Sequence, residues 1–154
     1  MDKVSIVKTL NYDIAEVERG VRAAVDLAGG MAAFVKPGQL VLVKPNMLES
    51  GHRDFLVTTH PEVVRAVLRL VKEAGGMPLV GDSPAFESTQ KVAEKTGIMA
   101  VCREEGARLV SFDETCRVSY AAGKMAQGFS LARACVEADV VISVAKMKTH
   151  SLTG

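Results

Sequence analysis

Residues 39–46 read QLVLVKPN, and Leu40 to Val43 are apolar without a break. A strand with one wet face alternates apolar and polar side chains. An unbroken apolar run marks a strand covered on both faces, as in parallel sheets whose crossover helices lie above and below. The run then stops at Lys44-Pro45-Asn46, where charge and turn chemistry replace it.

The flanking segments supply the helices that such a strand needs. Upstream, Ile14, Val17, Val21, Ala24, Val25 and Ala28 fall on one stripe, which predicts a helix over 13–27 ended by Gly29-Gly30. Before it, Val4 to Lys8 alternates as a strand does. Downstream, Thr59 and Glu62 stand at capping-box spacing with Pro61 suited to a first turn. The helix they open carries Val63, Val64, Val67, Leu68 and Val71 and stops at Gly75-Gly76. Residues 77–80 form a short strand ending in Gly81-Asp82-Ser83-Pro84. Helices follow over 87–96 and 98–105, each closed by a glycine. A strand over 109–112, a small hairpin of 118–120 with 125–129 around Gly123, a helix over 131–137 capped by Ser130, and a strand over 139–144 complete the pattern. Strands alternating with helices give an α/β fold: a mostly parallel sheet with helices on both faces, in a Rossmann-like three-layer arrangement.

Composition narrows the function. The chain has 154 residues, 48% hydrophobic and 24% charged, with a formal net charge of +1. That balance suits an ordinary folded domain and gives no bulk attraction to nucleic acid or an anionic membrane. No apolar run approaches the ~20 residues that span a bilayer, and the first residues lack a signal-peptide core. The expectation is a cytoplasmic protein without a membrane or nucleic-acid partner. The cysteines, Cys102, Cys116 and Cys135, fit no metal framework; they are expected to be reduced thiols, two of them on helices, outside any site. No metal is expected in this chain.

Three strand exits share one character: Lys44-Pro45-Asn46, Gly81-Asp82-Ser83-Pro84, and Lys146-Met147-Lys148-Thr149-His150. In a parallel sheet these exits lie on one edge, and open α/β sheets bind ligands there. Lys44, Lys146 and Lys148 would surround an anion. Asn46 can donate and accept, and Thr149 adds a hydroxyl. Ser83, with following backbone N–H groups at a helix start, would hold phosphate or carboxylate. Asp82, His60 and His150 are the candidate catalytic groups, Asp82 as base, metal ligand or lysine counter-ion. Each motif alone is also ordinary loop chemistry; their convergence on one edge makes them candidates for a site. No P-loop, Gly-x-Gly-x-x-Gly fingerprint or Gly-x-Ser-x-Gly elbow is present.

The succession VLVKPNMLES, THPEVVRAVLRLVKEAGG, VGDSPAFESTQKVAEKTGI, GARLVSFDE and EADVVISVAKMKTHSLTG resembles the domain-of-unknown-function family 362 over about residues 39–154. The resemblance implies that the histidine loop is followed by more of the same domain, and that many members carry a ferredoxin-like tail holding a 4Fe–4S cluster. On that footing the chain is expected to be the N-terminal part of a longer single domain, 1–154 being its front, with the fold incomplete at its C-terminus. The expected function is binding a small anion at the sheet edge in a redox reaction. The alternatives are an accessory module docking a redox partner, or an inactive piece. A sheet edge left open would favour self-association.

Overall fold

The structure, a computed structural model, describes residues 3–48, 57–84 and 87–148. The elements are α1 (Ile14–Leu27), a 3-10 turn (Met31–Ala33), β1 (Leu40–Pro45), α2 (Pro61–Glu73), β2 (Met77–Asp82), α3 (Thr89–Thr96), α4 (Ile98–Glu105), β3 (Arg108–Ser111), β4 (Thr115–Ser119), β5 (Gly128–Ala132), α5 (Arg133–Glu137) and β6 (Val140–Val144). Four strands make one sheet in the order β3-β2-β1-β6, all parallel. The antiparallel pair β4–β5 stands apart from it. The fold is α/β, as the apolar runs predict.

Strand order follows from the crossovers. The chain builds outward from β1 through β2 to β3, then returns to the other side of β1 as β6. Right-handed connections put α2, α3 and α4 on one face and the return path, with α5, on the other. Residue parity agrees. Val41, Val43, Val80, Val140 and Ile142 pack toward the helical core with Val64, Leu68 and Val71 of α2, Val92 of α3, and Ile98 and Val101 of α4. Val41, Val43, Val64, Leu68, Val71 and Val80 are fully buried. Each such side chain contributes about 1.5–3 kcal/mol on burial.

Outside this layer, α1 lies on α2, tied by Arg22–Glu73 at 2.6 Å and Arg69–Glu18 at 2.7 Å. Glu105 at the end of α4 takes Arg69 at 2.8 Å and Lys72 at 2.5 Å. Burial would raise the Glu105 carboxyl, but its hydrogen bonds from Lys72 and Arg69 hold it below the ordinary range. The opposite face is thinner, covered by a helix of five residues.

Four local expectations change. Residues 4–8 form no strand; they run irregularly beside α1, where the Ser5 hydroxyl donates to the Ala24 carbonyl at 2.6 Å. The hairpin pairs Thr115–Ser119 with Gly128–Ala132, so Ser130 and Leu131 belong to β5 and Ser130 caps nothing. Cross-strand pairing captures a segment whose local sequence also suits a helix. The N-cap of α2 is His60, whose Nδ1 accepts the Glu62 N–H at 3.2 Å; Thr59 is drawn elsewhere. Finally, α3 opens at Thr89 under a Ser88 cap, so Ser83 is not at a helix start. Among the described residues no helix is long and apolar enough to cross a membrane.

Candidate functional site

The carboxyl ends of β1, β2 and β6 meet at one edge, where the strand order reverses about β1. β2 delivers Asp82 beside the exit of β1, and the Lys44 ammonium sits 2.6 Å from its Oδ1. The other carboxylate oxygen, Oδ2, accepts the Met47 N–H at 2.7 Å. The Asp82 main-chain carbonyl accepts from the Thr89 hydroxyl at 3.1 Å. Asp82 is thus a buried counter-ion with both oxygens engaged. The strand approach that delivers it requires Gly81, because a Cβ there would meet the Val110 carbonyl oxygen at 2.7 Å and Phe112 at 2.8 Å.

Between β1 and β6, Thr59 joins both exits. Its hydroxyl accepts the Asn46 N–H at 2.9 Å and donates to the Val144 carbonyl at 2.8 Å, while its own N–H donates to the Asn46 carbonyl at 2.9 Å. These bonds satisfy backbone groups at the point where the β1–β6 ladder ends.

Lys146, just beyond β6, lies 5.5 Å from the centre of the Tyr12 ring and donates to its hydroxyl at 3.0 Å. The other face of that arrangement is His60, stacked on Tyr12 with centroids 3.9 Å apart. Burial is the main reason the His60 imidazole titrates below its ordinary value; Lys146 adds to the effect and Glu62 opposes it.

A cavity of about 190 Å³ opens at this edge, lined by Asn46, Met47, Leu48, Asp82, Ser83 and Lys148. It is smaller than the ~300–1,000 Å³ clefts that take drug-sized ligands. Of the residues expected at the site, Lys44, Asn46, Asp82, Ser83 and Lys148 come together. Lys146 and His60 form a second cluster around Tyr12. Thr149 and His150 lie outside the described residues.

Sequence reasoning missed three participants. Thr59 looked like a helix cap, and Tyr12 belongs to a segment far away in the chain. Cys135 on α5 was set apart from the site, yet it lies within electrostatic reach of Lys44 and Asp82: burial pushes its thiol up, with Asp82 adding and Lys44 opposing. Only the crossover that returns the chain to β1 brings them within that reach. Cys102 is buried on α4, its thiol pushed up to about 11 by desolvation, and Cys116 is on β4. Among the described residues no three His, Cys, Asp or Glu side chains are grouped to hold a metal.

The sequence pattern of the family described as Domain of unknown function (DUF362) matches residues 41–154. A thylakoid-associated protein of Synechocystis sp. is 38% identical over 149 residues, 96% of this chain. The chain spans 46% of that relative's length. No solved structure matches it significantly. The matched segment begins inside β1 and includes all three strand exits, and the protein belongs to the DUF362 family.

Proposed function

We propose that the carboxyl edge of the sheet binds a small anionic molecule, with Lys148 as its principal charge. The observation that carries this is the cavity uniting Asn46, Asp82, Ser83 and Lys148 from three strand exits. Lys44 neutralises Asp82, so the Lys148 ammonium adds net positive charge to the walls. Asn46 and Ser83 provide neutral polar groups that orient a bound oxyanion. The volume suits a phosphate or a short carboxylate. Thr149 and His150, which follow Lys148 in the sequence, are included in the proposal though they lie outside the described residues.

Asp82 would have to release Lys44 before acting as a base, which favours binding over proton transfer at that residue. His60 caps α2 through the Glu62 N–H and stacks on Tyr12, the ring beside which Lys146 also lies, so its geometry gives it a packing rather than an acid–base role. An accessory binding role in a redox system therefore fits these residues better than an acid–base enzyme does. No electron-transfer step is assigned to the cysteines; a 4Fe–4S cluster belongs to the proposal for a longer family member. A cytoplasmic location is part of the same proposal. The name of the Synechocystis relative makes the thylakoid surface the second place to look, and cell fractionation distinguishes the two.

The test is titration with phosphate, sulfate and short dicarboxylates, followed by NMR at the Met47 and Ser83 amides. Binding by at least one ion, weakened at least tenfold in Lys148→Ala, is expected. Unmoved amides at millimolar ion, or equal affinity in the variant, would overturn the proposal.

A further inference from the structure

The hydrogen-bonding groups around the carboxyl-edge cavity are not all of one kind. Lys148 can only donate, Asn46 and Ser83 can do either, and Asp82, as a carboxylate, can only accept. An acceptor in the wall sets oxygen lone pairs against those of a bound anion, so a site that works by charge alone has no use for it. Asp82 nonetheless lines the cavity, and its side chain is only 12% exposed.

Its two protein partners leave this carboxylate unsaturated. The Lys44 ammonium meets Oδ1 at 2.6 Å, and the Met47 N–H donates to Oδ2 at 2.7 Å. Two carboxylate oxygens offer about four lone-pair directions, so each oxygen keeps room for another donor. No other donor among the described residues reaches them. The same two bonds also decide what the cavity presents. Lys44 offsets the negative charge, so Asp82 does not expel an anion outright. The Met47 N–H is spent on the protein and is not left for a ligand. What remains at this wall is acceptor capacity without excess charge.

We infer, on the footing that this edge binds an anion, that Asp82 selects the ligand: it admits small oxyanions that bring an O–H of their own, such as monohydrogen phosphate or a 2-hydroxycarboxylate. An anionic oxygen of the ligand meets Lys148, and the ligand hydroxyl donates to Asp82. No proton changes hands, and the Lys44 pair stays intact. An oxyanion without an O–H places an oxygen against the carboxylate and leaves a buried acceptor unmet. Sites built around a ligand hydroxyl reject the analogue that lacks it for this reason.

Matched probes separate this from binding by charge. Phosphate and sulfate are both tetrahedral, but at neutral pH phosphate keeps at least one proton and sulfate none, while sulfate carries at least as much negative charge. Lactate and propionate share their charge and carbon skeleton and differ by the hydroxyl. Charge alone predicts that sulfate binds at least as tightly as phosphate, and propionate as tightly as lactate. Each is titrated into the 154-residue chain at constant ionic strength and followed at the Met47 and Ser83 amides. The expected result is phosphate at least tenfold tighter than sulfate, and lactate at least tenfold tighter than propionate. In Asp82→Asn, whose amide donates as well as accepts, both preferences should disappear. A wild-type ratio that falls short in either pair overturns the selectivity and leaves anion binding standing; no binding by any of the four removes both. Preferences that survive in a folded Asp82→Asn also overturn it. So does alanine binding more tightly than lactate, because Asp82 would then be seeking a cation rather than a hydroxyl. The wild-type ratios decide the matter even where the variant does not fold.

Discussion

The two sides of β1 differ in how completely they are closed. Toward β2, the apolar side chains Val41, Val43 and Val80 are fully buried, and the polar exit is sealed by the Lys44–Asp82 pair and its Met47 hydrogen bond. Toward β6, Val141 is 47% exposed, the next edge is open, and the polar exit is held by a lysine over an aromatic ring. Two lysines with the same sequence signature therefore do different work. Lys44 is committed to a carboxylate inside the protein, whereas Lys146 rests on a surface stack just beyond the edge strand. Burial is concentrated on the β2 side and exposure on the β6 side.

The largest test of that contrast is in the apolar layers. Leu68 of α2 is fully buried under the sheet, and Leu68→Ala should cost about 3 kcal/mol in urea unfolding. Val141→Ala on the open side should cost about 0.5 kcal/mol or less. Comparable losses at the two positions would mean that β6 is as well covered as β1, and the contrast would break.

Next in size is the polar exit. Asp82→Ala removes the counter-ion of Lys44 and the acceptor for the Met47 N–H together, at an expected cost of about 2 kcal/mol. Adding Lys44→Ala should recover part of the loss, because the unpaired ammonium is then gone. Lys146→Ala, which breaks only a surface contact, should cost about 0.5 kcal/mol. If Asp82→Ala is no worse than Lys146→Ala, the two lysines are equivalent after all.

What the sequence disclosed, and what it hid, divides along the same physical line. The strand at 40–45 was legible because burial on both faces writes itself as an uninterrupted apolar run; those at 77–82 and 140–144 were legible from shorter apolar runs, although β6 alternates half-buried and exposed positions. The convergence of their exits followed from parallel topology. The strand pattern at Val4–Lys8 was also legible, but a period of two says that a segment can pair, not that a partner is present. Thr59 and Tyr12 were not legible. Thr59 sits where a cap is expected, and only the arrival of Val144, far away in the chain, turns its hydroxyl to another use. Tyr12 reaches His60 and Lys146 only through the packing of α1 on α2. Cys135 lacked any motif spacing, and its proximity to Lys44 depends on which face the return crossover takes.

The smallest effect concerns the stack on the β6 side, and it carries a pH signature. Neutral His60 accepts the Glu62 N–H through Nδ1 and so caps α2; a protonated ring has no acceptor left at that atom. Burial depresses the folded-state pKa of His60 below 6.5. The folded protein therefore binds this proton less readily than the unfolded chain does. The stabilisation is fully present above pH 6.5 and is lost as pH falls through the depressed folded value. His60→Asn keeps a capping oxygen but cannot titrate. The stability difference between wild type and this variant should shift by no more than about 1 kcal/mol between pH 7 and 5, against the wild type on acidification. Tyr12→Ala removes the ring that shields the imidazole, so the His60 pKa, followed by NMR, should move back toward 6.5. A His60 that titrates at or above 6.5 in the intact fold, or that ignores the loss of Tyr12, would show that the N-terminal segment does not hold this exit, and Lys146 would lose the support that distinguishes it from an ordinary surface lysine.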